Sequence, residues 1–153
     1  MNEIPLFTNS VLWISIGAWA LAQFLKPVID YLRTRKWNWA LLLRAGGMPS
    51  SHSALVAAAA HSVGLNYGFD TPVFAVAVTL AIIVIYDATG VRRQSGKHAE
   101  KINAIVKDLA SGRPHWQETQ EQLKEVLGHT PMEAIAGTVM GLVIAHLGWY
   151  FSL

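Results

Sequence analysis

Four stretches of this chain contain no Asp, Glu, Lys or Arg: Ile4 to Leu25, Ala45 to Phe69, Thr71 to Tyr86 and Ala134 to Leu153. Nothing else in the sequence restricts the fold so severely. A helix needs about 20 mostly apolar residues to cross a bilayer. The first, second and fourth stretches are long enough, and the third gains length by borrowing Asp70 or Asp87 at its ends. Only 14% of the 153 residues are charged and 52% are hydrophobic, against roughly 25% charged in an ordinary soluble domain. No low-complexity linker and no internal repeat stands out. The expectation is an all-α integral membrane helical bundle, one domain over residues 1–153. Its spans fall at about 6–31, 51–68, 72–87 and 131–151, with short re-entrant or interfacial helices besides.

Charge placement sets the orientation. If the spans alternate, every one of the 12 basic residues falls in the segments on one side: Lys26, Arg33, Arg35, Lys36, Arg44, Arg92, Arg93, Lys97, Lys101, Lys107, Arg113 and Lys124. Basic loops stay in the cytoplasm, so both termini are expected outside and the basic face inside, which in a bacterium means the plasma membrane. The N-terminus lacks the positive region of a cleavable signal peptide, so the first span is expected to be retained. The basic run Arg33 to Lys36 beside Trp37 and Trp39 fits an interfacial belt rather than a nucleic-acid surface, and no nucleic-acid partner is expected. The absence of cysteine excludes disulfides and thiolate metal sites.

Folding alone does not ask for the string Gly46-Gly47-Met48-Pro49-Ser50-Ser51-His52-Ser53. Paired glycines allow unusual backbone angles and close approaches, and Pro followed by Ser-Ser starts a helix well. A helix start is an anion site, because its unpaired N–H groups and the positive end of its dipole point outward together. His52 stands beside it. A second helix start follows at Gly128-His129-Thr130-Pro131-Met132-Glu133, where Thr130 and Glu133 form a capping box with Pro131 at the first helical position. That explains Thr130 and Glu133 structurally but not His129. Gly137 and Gly141 then offer a small-residue face for another span.

Other residues have plain readings. Lys26 near the end of its span can snorkel to the interface. Asp87 can brace an arginine, and Gly90 reads as a helix terminator followed by Arg92 and Arg93, whose planar guanidinium groups suit phosphate. The piece Ala40 to Leu43 before Arg44 is too short to cross and reads as a half-helix or re-entrant segment. His61 and His146 read as packed core histidines. Residues 99–127 turn polar, with Ile102, Ile105, Val106 and Leu109 and then Leu123, Val126 and Leu127 at helical spacing, as in amphipathic helices on the cytoplasmic surface.

Two histidines at helix starts, with Lys and Arg from separate segments on one side of a bundle, suit a phosphate ester. The transition state spreads negative charge that cations and helix-start N–H groups stabilise, while one histidine attacks phosphorus and the other protonates the departing oxygen.

Three strings carry a resemblance: Gly46 to Ser53, Asp87-Ala88-Thr89-Gly90-Val91-Arg92-Arg93, and Leu127 to Glu133, with Lys26 as a fourth point of match. The chain resembles the divergent branch of the type-2 phosphatidic acid phosphatase family, related to acid phosphatases and vanadium-dependent haloperoxidases. The resemblance implies that Lys26 binds phosphate, that Ser50 and Ser51 belong to its cradle, that His52 is the general acid, that His129 is the nucleophile forming a phosphohistidine, and that Glu133 orients it. Arg92, Arg93, Arg35 and Arg44 are the candidate phosphate-binding arginines, with Asp87, Gly46 and Gly47 as orienting residues. The sequence departs from the superfamily pattern in several places. Ser51 replaces the glycine of Pro-Ser-Gly-His, Glu133 replaces aspartate, and the arginine pair lies far upstream of His129 rather than six residues before it. Arg33 stands at the superfamily's spacing from Lys26, but Thr34 follows where proline is expected. Four spans are fewer than the usual six-helix core, which leaves room for a homodimer to complete the bundle.

The implied function is a membrane lipid-phosphate phosphatase, with a lipid phosphate as substrate, no metal and no cofactor. The alternative from another class is a non-catalytic protein that binds anionic headgroups of membrane lipids or serves as a scaffold. A phosphotransferase using Asp87 and Glu133 as metal ligands is the weakest reading, since two carboxylates from distant segments make a poor cation site.

Overall fold

The computed structural model describes residues 8–44, 46–110 and 128–152. Five α-helices account for most of them: α1 (Ser10–Thr34), α2 (Ser51–Tyr67), α3 (Pro72–Thr89), α4 (Val91–Ala110) and α5 (Pro131–Ser152), with a 3-10 turn at Trp39–Leu42 between α1 and α2. The all-α class follows directly. Helices Ser10–Thr34 and Pro131–Phe151, and the run Pro72–Lys107, are long and apolar enough to cross a membrane.

Local chemistry starts each helix. The Asn9 side chain caps α1 by accepting from Leu12 N at 3.0 Å, Ser50 caps α2 through Ser53 N at 3.2 Å, and Thr71 caps α3 with Pro72 behind it. Such caps satisfy N–H groups that the helix itself leaves unpaired. Arg35 ends α1 in the left-handed region, its N–H donating to Tyr31 O at 2.8 Å.

Burial identifies α2 as the central helix. Ser51, Ser53, Ala54, Ala57, Ala58, Ala60, Ser62 and Gly64 are all buried, leaving α2 no exposed stripe except near its end. Ala54 and Ala58 form a fully enclosed cluster with Ala18 and Ala22 of α1 and Ala145 of α5. Small residues let these backbones approach closely, as membrane helices require when no hydrophobic force drives them together. On α5, Gly137 lies against the Ser50 carbonyl and Gly141 against the Ala54 carbonyl, so a β-carbon at either would collide with the backbone of α2. The outside is the reverse of a soluble protein's. Val76, Leu80, Ile83 and Tyr86 of α3, and Ile135, Val139 and Phe151 of α5, are all more than half exposed, a surface suited to lipid and not to water.

Three findings differ from the sequence reading. The polar helical segment starts at Val91, directly after Gly90 and ahead of residue 99, so Arg92 and Arg93 occupy the first turn of α4. Residues 111–127 of the expected amphipathic region lie outside the described residues. Lys26 does not snorkel: it is 1% exposed inside the bundle. His146, read as core, is exposed, and its ring lies 5.9 Å from that of His61.

Candidate active site

The starts of α2 and α5 lie side by side. Ser50 N donates to Glu133 O at 2.9 Å, which fixes the two starts against each other, and His129 N donates to Ala88 O at 3.0 Å, which ties both to the end of α3. Gly46 and Gly47 lead the chain into α2 with φ of 93° and 83°, a region that residues with a β-carbon resist. The rings of His52 and His129 thereby come to 6.0 Å, centroid to centroid, at 62°.

Glu133 does two jobs with one carboxylate oxygen. Its Oε2 accepts from Thr130 N at 3.0 Å while Thr130 Oγ1 accepts from Glu133 N at 3.3 Å, which completes the capping box. The same Oε2 lies 3.2 Å from His129 Nδ1. A carboxylate there holds the ring proton on Nδ1 and leaves Nε2 with a free lone pair. That Nε2 is buried and has no partner among the described residues. Burial pushes His129 below the ordinary histidine range; the hydrogen bond to Glu133 opposes this and the nearby Lys26 charge adds to it. On balance the site favours the neutral imidazole.

Lys26 reaches the α2 start from α1. Its ammonium donates to Arg44 O at 3.3 Å and to Ser51 Oγ at 3.4 Å. Two helix N-termini and one buried ammonium thus surround an imidazole with an unused lone pair, an environment that favours a tetrahedral oxyanion.

The remaining sequence candidates are placed as follows. The Ser50 hydroxyl is engaged by Ser53 N and by Ser53 Oγ at 3.0 Å, so its work is capping. Asp87 is half-buried in the last turn of α3, next to the Ala88 carbonyl that holds His129. The side chains of Arg35 and Arg44 are exposed; Arg44 contributes its backbone carbonyl and Arg35 its helix-ending conformation. Arg33 is exposed and donates to Met48 Sδ at 3.3 Å. Arg93 is half-buried, and the side chain of Arg92 lies outside the described residues. The carbonyls of Ala88 and Arg44 were not anticipated, because a backbone acceptor leaves no signature in residue type.

Fold and site together define an all-helical integral membrane protein with a histidine pair at one end of the bundle. The chain belongs to the divergent PAP2 family, whose model matches residues 7–144. It is 41% identical over 158 residues to the uncharacterized membrane protein YuiD of Bacillus subtilis (strain 168), an alignment covering 98% of this chain and 100% of that protein. No solved structure matches the chain.

Proposed function

We propose that this chain is a membrane phosphatase that hydrolyses the phosphomonoester or pyrophosphate of a lipid at the cytoplasmic face, through a phosphohistidine on His129 and without a metal ion. The observation that carries this reading is the buried Nε2 of His129, without a partner among the described residues, on a ring 6.0 Å from that of His52 and held through Nδ1 by Glu133.

The chemistry runs in two displacements. The Nε2 lone pair attacks phosphorus, the bond from phosphorus to the lipid oxygen breaks, and protonated His52 gives its proton to that oxygen. The imidazole ring of His129 then carries the phosphoryl group and a positive charge, which Glu133 stabilises through Nδ1–H. Neutral His52 next takes a proton from water as the water oxygen attacks phosphorus. The N–P bond breaks, releasing phosphate and restoring both histidines. Lys26 and the two helix starts stabilise the charge on the phosphoryl oxygens.

Purified protein in lipid nanodiscs should release phosphate from long-chain alkyl phosphates, and the rate should survive a chelator. Loss of activity on chelation contradicts the metal-free route, and silence on every lipid phosphate favours headgroup binding without turnover.

The pH profile follows from His129. Activity needs its neutral form, so the acid limb should fall below the ordinary histidine value of about 6.5. Glu133 raises the affinity of His129 for its proton. Glu133→Gln should therefore shift the acid limb to still lower pH while lowering kcat at the plateau. A shift to higher pH contradicts the assigned partnership.

Orientation is testable because the chain has no native cysteine. In intact cells a membrane-impermeant maleimide should label Phe151→Cys but label Lys97→Cys only after permeabilisation. The opposite pattern puts the histidine pair outside the cell.

A further inference from the structure

The hydroxyl of Ser51 has no task in the scheme above. Ser50, not Ser51, caps α2, so the start of the helix does not need a second hydroxyl. Ser51 nevertheless stands, 1% exposed, where the related superfamily motif has glycine.

Its hydroxyl meets Lys26. An ammonium has three N–H donors, and one enclosed at 1% exposure within an apolar bundle needs acceptors for them. Among the described residues there are two, the Arg44 carbonyl at 3.3 Å and Ser51 Oγ at 3.4 Å. The third N–H is left for a ligand. The lysine stem has four flexible carbons, and with one acceptor alone the ammonium could swing about the Arg44 carbonyl. Two acceptors from different segments fix its position where its charge acts on both His129 and Glu133. Among the arginines that precede α2, Arg33 is exposed and turned to a methionine sulfur, and the side chains of Arg35 and Arg44 are exposed.

We infer that Ser51 is a positioning residue that holds the Lys26 ammonium beside the histidine pair, so that one buried lysine supplies the cation for the bound oxyanion. The nature of that anion, a phosphoryl group, rests on the reading under Proposed function. Ser51 acts through Lys26 and not by binding the anion itself.

A double-mutant cycle separates these roles, since residues acting through one another are non-additive. The probe is orthovanadate, a tetrahedral oxyanion, titrated by calorimetry into the purified full-length protein in phosphatidylcholine nanodiscs. Ser51→Gly and Ser51→Ala should each weaken binding about tenfold, the scale of one hydrogen bond to a charged group. In a Lys26→Met background, with Lys26→Gln as a second replacement, the same changes should alter binding by less than about twofold. An equal loss in both backgrounds makes Ser51 a direct ligand and overturns the inference. So does unchanged binding in the single Ser51 variants, and so does a wild-type protein that binds no orthovanadate. Phosphate release from a long-chain alkyl phosphate is measured in parallel. Coupled orthovanadate binding without turnover removes the phosphatase reading and leaves the role of Ser51 intact.

Discussion

Replacing His129 with glutamine should abolish phosphate release, lowering kcat by at least about 10⁴-fold, while the protein keeps its helical content and thermal transition. The size of the effect follows from its role. A nucleophile that forms the covalent intermediate has no substitute, whereas a group that only transfers protons contributes about 10² to 10⁴. His52→Gln should accordingly leave a residual rate where His129→Gln leaves none. Glutamine is chosen because His129 is only 2% exposed, and alanine would open a cavity beside the Ser50 and Glu133 contact. The check is phosphate release under single-turnover conditions, with circular dichroism on the same samples. Equal residual activity in the two variants would contradict the division of labour between the histidines.

The second large effect is on stability. Gly137→Ala should destabilise the protein by about 3 kcal/mol, at the upper end of the range for overpacking, because the added β-carbon runs into the Ser50 carbonyl. That carbonyl belongs to backbone that cannot turn away as a side chain can. Ser50 also caps α2 and donates to the Glu133 carbonyl. Separating α5 from α2 here would widen the gap between His52 and His129, so activity should fall along with stability. Gly17→Ala is the control. An added β-carbon at Gly17 meets nothing within 4 Å, and glycine within a helix is disfavoured relative to alanine, so the control should be neutral or slightly stabilising. Thermal unfolding in detergent should rank Gly137→Ala well below wild type and Gly17→Ala at or above it. The reverse order would show that α2 and α5 do not meet at these glycines.

The parts of this architecture that could be read in the sequence are those set by local chemistry or by the solvent. The uncharged stretches announced a helical membrane bundle. The helix starts at Ser50 and Thr130 were visible because a cap needs a particular side chain a fixed distance from the N–H it serves. Gly137 and Gly141 marked a packing face for the same reason. What stayed hidden depends on partners far apart in sequence. Nothing in the residue types of Ala88 or Arg44 shows that their carbonyls hold His129 and Lys26. The resemblance implies a place for Ser51 in an anion cradle, and only its distance to Lys26 suggests another task. Position alone lets Lys26 snorkel, because position along a span says nothing about which face of the helix meets the rest of the bundle; only the resemblance points it to phosphate. Glu133 shows both sides: its capping role was legible in Thr130-Pro131-Met132-Glu133, and its contact with His129 Nδ1 comes from the same oxygen once α5 is formed.

The central claim is that His129 is phosphorylated in each turnover. The direct measurement is rapid mixing of the protein with a long-chain alkyl phosphate, followed by quenching in alkaline denaturant, because N-linked phosphate is labile in acid, and then mass spectrometry of the peptides. The account predicts a transient phosphoryl group on His129, formed no more slowly than phosphate is released and absent from His129→Gln. Full turnover with no phosphoprotein, or a phosphoryl group on any other residue, would contradict it.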